Sequence, residues 1–145
     1  MAFFGCFGED PDGRRIFNMR AEYLFAPMLH YSMDGVMALC YSIKEAFLPV
    51  SDPWLFVATA GDGKGITVGR DTVRRIYRRY GKRLYAHIPF ATAFAVYDSR
   101  KGKLFLGGTR GETCFIEQVG ETLFFSSDPL LLRSPSALEF LTRTR

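Results

Sequence analysis

The sequence predicts an α+β domain in which an antiparallel sheet is covered on both faces, by another sheet and by helices. Three observations lead there. From Phe90 onward, four apolar segments are joined in pairs by two short glycine-bearing loops, Ser99–Gly102 and Val119–Glu121, which is the pattern of two hairpins. The strands flanking those loops are too apolar to face water on two sides. Upstream, two segments carry apolar residues at three- and four-residue spacing, the period of a helix with one covered face.

Length and composition agree with a single domain. The chain has 145 residues, 48% hydrophobic and 23% charged, a globular balance with enough apolar surface for a core. Fourteen Phe and seven Tyr suit a sheet-rich interior. No apolar run is long enough to span a bilayer, and the opening MAFFGCFGED lacks the basic region of a signal peptide. Three irregularly spaced cysteines point to reduced thiols and a cytosolic protein. A net charge of +4 does not by itself imply nucleic acid.

In chain order, Ala2–Gly8 reads as a buried strand and Glu9-Asp10-Pro11-Asp12-Gly13 as a turn. Arg14–Met28, with Ile16, Met19, Tyr23 and Leu24 at helical spacing, reads as a helix that Pro27 ends. Val36–Ile43 and Trp54–Thr59 are strands on either side of a polar link, Pro49–Pro53. A glycine-rich turn, Gly61–Gly65, precedes a short strand, Ile66–Val68. Asp71–Tyr80 is a helix with Asp71 as N-cap, Gly81 as its stop and Val73, Ile76, Tyr77 and Tyr80 as its apolar face. The hairpins follow, with Phe94, Val96, Leu104, Leu106, Phe115, Leu123 and Phe125 as the expected core. Ser134 caps a last short helix through Leu141.

Few residues carry a chemical signature. Gly63-Lys64 sits in a glycine-rich turn, but Gly65 stands where a phosphate-binding loop needs Ser or Thr, and Ala58 where it needs glycine. Cys6, Cys40, Cys114, His30 and His87 lack the close pairing of a zinc site, so no metal and no cofactor is implied. The strongest charge feature is Arg70, Arg74, Arg75, Arg78, Arg79, Lys82 and Arg83, opposed only by Asp71. Arg74/Arg78 and Arg75/Arg79 are like-charge pairs one turn apart, which disfavour an isolated helix. A solvated helix face accounts for them, and so does a surface formed by Arg74, Arg75, Arg78 and Arg79 for an acidic partner, a phosphate-bearing ligand or RNA. Against RNA, Tyr77 and Tyr80 fall on the apolar side of that helix rather than among the basic residues.

The four segments AFAVYD (Ala93–Asp98), KLFL (Lys103–Leu106), TCFIEQ (Thr113–Gln118) and TLFFSSDPLLL (Thr122–Leu132) resemble, in order and spacing, the C-terminal half of the glutaminase domain of asparagine synthetase-like enzymes, which are class II glutamine amidotransferases. MLHYSMDG (Met28–Gly35) resembles that family's "MLxHRGPDG", and ITVGRDT (Ile66–Thr72) its "FxTxSDTE" step. The resemblance implies an N-terminal-nucleophile hydrolase fold, a four-layer αββα sandwich of two antiparallel sheets, here reduced in size. It also implies a glutaminase site whose nucleophile is an N-terminal cysteine with its own amino group as base.

Aligned on Gly5 and Phe7-Gly8, that nucleophile falls at Met1 or Ala2, neither of which can form a thioester. The arginine clamp for the glutamine carboxylate would lie near Ser42–Lys44, where no arginine stands. LFVATAGDGK (Leu55–Lys64) replaces the "NGEIYN" segment, and the acidic clamp for the amine maps to Pro89 or Phe90. The resemblance therefore implies a glutaminase-like domain without its catalytic residues, a structural or binding module for an asparagine synthetase-like, ATP-dependent ligase. The chain carries no ATP-binding motif of that ligase. The ligase is expected as a separate partner, or as the missing part of a longer protein. Two alternatives stand beside this reading. Cys6 becomes an N-terminal nucleophile if residues 1–5 are removed, or else is a small apolar residue inside the first strand. The basic helix makes the domain an interaction module for RNA or an acidic protein. A homo-oligomer is compatible with all three.

Overall fold

Phe-Phe-Gly-Cys-Phe, residues Phe3–Phe7, forms strand β1, and all five residues are buried. Burial on both faces requires a layer on each side, and the computed structural model supplies both. It describes residues 3–22, 28–33, 35–42, 53–60, 69–88, 92–109 and 112–144. The strands that follow are β2 (Met28–Met33), β3 (Met37–Ser42), β4 (Leu55–Ala60), β5 (Ala93–Asp98) and β6 (Lys103–Gly108). After them come β7 (Cys114–Val119), β8 (Thr122–Ser126), β9 (Ser136–Leu138) and β10 (Phe140–Thr144). Among the described residues the α-helices are α1 (Pro11–Ala21) and α2 (Arg70–Tyr80), the latter running into a 3-10 turn, Gly81–Ala86.

Two antiparallel sheets result: a six-stranded sheet ordered β2-β3-β1-β8-β7-β9 and a four-stranded sheet ordered β10-β6-β5-β4. Side-chain alternation along each strand sorts the core into three layers. Phe3, Phe7, Leu39, Ala95, Tyr97, Leu104, Leu106, Leu123 and Phe125 fill the space between the sheets. Phe4, Cys6, Ala38, Cys40 and Phe124 pack with Phe17 of α1, and Leu55, Val57, Phe94, Val96 and Phe105 pack with Val73 and Tyr77 of α2. The expected αββα sandwich is thus the observed one. Six of the seven expected core residues are buried, while Phe115 is half-buried on the α1 side.

β1 is the central strand, paired with β3 on one edge and β8 on the other, with Gly5 opposite both Leu39 and Phe125. The ring of Phe125 lies over Gly5 so closely that a Cβ there would overlap the ring edge at Cζ and crowd the Ala38 carbonyl at 2.8 Å. Gly5 is therefore set by packing between the sheets, where Phe3 and Phe125 rings meet at 6.3 Å.

Four features differ from the sequence reading. The helix expected over Arg14–Met28 begins at Pro11, because Pro11 occupies the first turn and Asp10 caps it by accepting the Asp12 N–H at 3.0 Å. It ends at Ala21, and Met28–Met33 is strand β2 at the edge of the larger sheet. Gly69, not Asp71, is the N-cap of α2, while Gly81 closes it at φ 57° as its position suggested. The helix expected from Ser134 to Leu141 is two strands. β9 pairs with β7 and β10 with β6, so that the chain passes from one sheet to the other at Glu139, whose carbonyl accepts the Gly108 N–H at 3.0 Å. Unpaired strand edges outweigh a weak local helix preference there. The short strand expected over Ile66–Val68 lies outside the described residues.

A part-buried ion pair joins α1 to the larger sheet. Arg20 Nη1 meets Glu117 Oε1 at 2.7 Å, and the same carboxylate accepts the Ser134 N–H at 3.1 Å. Burial pushes the Glu117 carboxyl up, but Arg20 and the backbone donors outweigh it and hold the group below its usual value of 4.5. A carboxyl lowered on folding contributes stability that is present above its unfolded value and is lost as pH falls through the lower folded value.

Two predictions follow from this architecture. Gly5→Ala should destabilise the domain by about 1–3 kcal/mol through overpacking against Phe125, and Gly5→Ala with Phe125→Leu should recover part of the loss; urea denaturation measures both. Glu117→Gln should be less stable than the parent near neutral pH. That difference should shrink as pH is lowered from about 6 to about 3, whereas a pH-independent difference would contradict the ion-pair account.

Candidate functional site

The head of β1 is where the resemblance puts a nucleophile. Its described part is tightly stitched: the Phe3 N–H donates to Ser127 Oγ at 2.9 Å, and the Phe3 carbonyl accepts from Ser126 Oγ and the Ser127 N–H, both at 3.1 Å. Met1 and Ala2 lie outside the described residues, as do Ile43 and Lys44, Gly61–Lys64, and Pro89 and Phe90. Ser42 ends β3. Within β1 the one nucleophilic side chain is Cys6, which alternation turns away from the space between the sheets and toward α1. It is 1% exposed, among Phe4, Phe17, Ala38 and Phe124.

Burial pushes the Cys6 thiol up, and the neighbouring Arg14 guanidinium offsets only part of that rise. Cys40, diagonal to Cys6 across the β1–β3 pairing, is pushed up to about 12 by burial and by Cys6. Cys114 lies between the sheets, and burial pushes it up to about 12. None of the three is in a disulfide, and all are buried, with little thiolate at neutral pH. His30 belongs to β2, and His87 is exposed just after the 3-10 turn. Among the described residues, no three His, Cys, Asp or Glu side chains gather as metal ligands would.

The arginines of α2 divide between two environments. Arg70, Val73, Arg74 and Tyr77 form its buried stripe. Arg74 therefore does not join Arg75, Arg78 and Arg79 on an outward surface. Its Nη1 donates to the Leu55 carbonyl at 2.8 Å, at the start of β4. Tyr77 reaches the same end of the smaller sheet, donating its hydroxyl to Asp98 Oδ2 at 2.7 Å. Asp98, wholly buried, accepts the Arg100 and Lys101 N–H groups through Oδ1 at 3.0 and 3.3 Å, which fixes the β5–β6 turn. Burial, then the Asp98 hydrogen bond, pushes the Tyr77 hydroxyl up.

Arg75, Arg78 and Arg79 are exposed. Arg75 and Arg79, one turn apart, line an open groove of about 420 Å³ together with Thr72, Ile76, Tyr80 and His87. The 3-10 turn folds the chain back so that the His87 ring stacks on Tyr80, with centroids 3.5 Å apart and planes within 8°. Arg79 also lies over the Tyr80 ring, 5.5 Å from its centroid. Arg78 and Asp71 fall on a different stripe of the helix, because residues seven apart share a face. His87 escaped the sequence reading as a member of this cluster because its placement depends on a turn, not on spacing along a helix.

No protein-family model matches this sequence, and no curated protein matches it significantly. Solved structures do. A glutamine phosphoribosylpyrophosphate amidotransferase from B. subtilis, complexed with ADP and GMP, aligns over 98% of this chain with a TM-score of 0.55 and 13% identity. A structure of the allosteric regulatory enzyme of purine biosynthesis aligns over 97% with a TM-score of 0.57 and 14% identity. The chain spans less than half of either protein, 47% and 45% respectively. At this identity the likeness concerns the fold alone: the chain shares with both an α+β sandwich of two antiparallel sheets, like that of N-terminal-nucleophile hydrolases.

The burial of all three cysteines predicts that the native protein reacts with an aromatic disulfide reagent slower than the urea-unfolded protein by about two orders of magnitude. Rapid labelling of one native thiol, abolished by Cys6→Ala, would contradict the assigned packing of Cys6.

Proposed function

We propose that this domain is a glutaminase-fold module that does not hydrolyse glutamine. Its role is to bind and support an asparagine synthetase-like, ATP-dependent amide-forming enzyme, whether a separate protein or a further part of the same one. The observation that carries the reading is the direction of Cys6. The strand whose head would hold the nucleophile has a single nucleophilic side chain, and that side chain is sealed beneath α1 with its thiol pKa raised. Met1 and Ala2, which precede β1, cannot form a thioester, and the sequence has no arginine between Ser42 and Lys44 to hold a glutamine carboxylate.

The competing use of Cys6 requires removal of residues 1–5. That would delete Phe3 and Phe4, both fully buried, and the β1 pairings of Phe3, Phe4 and Gly5 with β3. Losing a buried Phe side chain costs about 3–5 kcal/mol, and two together approach the whole stability of an ordinary domain, ~5–15 kcal/mol. Magnitude therefore weighs against a matured glutaminase. A role in RNA binding gains no support from the aromatic residues near the basic helix, since Tyr77 is buried against Asp98 and Tyr80 is stacked on His87.

The test is ammonia release from glutamine by the purified protein, alongside intact-mass measurement and the Cys6→Ala variant. The expected result is a rate equal to the no-protein control in both proteins. Ammonia release that Cys6→Ala abolishes, from a chain beginning at Cys6, would replace this reading with the amidohydrolase. The partner is tested separately, by co-purification of the tagged domain with an amide-forming ligase from its source.

A further inference from the structure

The outer groove of α2 concentrates positive charge where the fold does not need it. Arg70 and Arg74 are held on the buried stripe, with Arg74 on the Leu55 carbonyl. Arg75 and Arg79 have no such task. Among the described residues neither forms an ion pair, and none that lines the groove is a carboxylate. Asp71, the one acidic residue of the helix, stands one turn before Arg75 but is not among the described residues that line the groove. Two guanidinium groups one turn apart repel each other, and both present forked N–H donors to a shared concavity.

The remaining lining complements an oxyanion. Thr72 brings a hydroxyl and His87 an imidazole, a ring N–H donor held in place by stacking on Tyr80. Ile76 gives the groove an apolar wall. Paired arginines match the tetrahedral oxygens of phosphate through charge-assisted, bidentate hydrogen bonds. The groove is open, and its volume of about 420 Å³ leaves room for a small molecule against the arginines.

The geometry points to a phosphate-binding site in this groove: Arg75 and Arg79 hold the phosphate oxygens of a small organic phosphate, with Thr72 and His87 as supporting donors. A pyrophosphate group, whose larger charge both arginines can share, is the best match. A nucleoside diphosphate and a phosphorylated sugar offer the same chemistry and differ in whether a base adds to it. The site is independent of the glutaminase reading, since it involves neither β1 nor Cys6.

Calorimetric titration of the full chain at about 0.15 M salt with inorganic pyrophosphate, ADP and ribose 5-phosphate tests the proposal. Saturable one-to-one binding is expected for at least one of them. Arg75→Gln or Arg79→Gln should weaken it by about 10-fold or more, and Arg78→Gln, on the neighbouring stripe, by less than about twofold. Circular dichroism checks that the variants, all at exposed positions, remain folded. ADP binding tighter than pyrophosphate identifies a nucleotide, and equal binding identifies the phosphates alone as the determinant. Absence of saturable binding for all three probes would overturn the proposal. So would equal weakening by Arg78→Gln, or tighter binding of a glutamate-rich peptide than of any phosphate.

Discussion

β1 is hydrogen-bonded along both edges and covered on both faces, and the other layers are arranged around that constraint. A strand so placed cannot carry a polar group without a partner, and it cannot slip by one residue without exchanging its two apolar faces. The contact between Phe125 and Gly5 ties the register to packing between the sheets, because one ring occupies the space that a side chain on β1 would need. β3, β8 and their neighbours then inherit their facing from β1 through the pairings. The direction of Cys6 is one consequence. With Phe3 and Phe7 turned toward the second sheet, Cys6 is turned toward α1, and its burial follows from register rather than from its own chemistry.

The second sheet and α2 are joined by polar contacts buried in an otherwise apolar layer. Asp98 satisfies the β5–β6 turn with one oxygen and the Tyr77 hydroxyl with the other, while Arg74 occupies the carbonyl at the start of β4. Close by, Arg100 lies over the Trp54 ring at 3.2 Å and Ser99 donates to the Trp54 carbonyl, so the β5–β6 turn and the segment before β4 are held together. These bonds set the rotation of α2 about its axis. That rotation, in turn, decides which arginines meet solvent. The basic character of the helix thus has two separate physical origins. Arg74 is placed for packing and for a backbone acceptor, whereas Arg75 and Arg79 line a concavity that the sandwich does not require.

Much of the fold was legible in the sequence because its determinants are local. Short glycine-bearing loops between apolar runs define β5–β6 and β7–β8, and Gly81 closes α2 where its positive φ is needed. The start of α1 is also written locally, in Asp10 and Pro11, but the same residues are turn formers, so their sequence fits a turn as well as a helix cap. β9 and β10 could not be read from their own residues. Their structure is supplied by unpaired edges of β7 and β6, which lie in different sheets.

The candidate sites show the same division more sharply. The sequence by itself determined an antiparallel sheet covered on both faces, most of the core and the concentration of arginine near residue 75. Hydrophobic periodicity, turn chemistry and residue identity act over a few neighbours, and they suffice for those conclusions. Only the tertiary structure decided that Arg74 faces inward, that Cys6 is closed under α1, and that His87 stacks on Tyr80 beside Arg75 and Arg79. Each of those outcomes depends on a surface contributed by a segment distant in the chain or folded back by a turn, and periodicity along a single element carries no information about which surface it will meet.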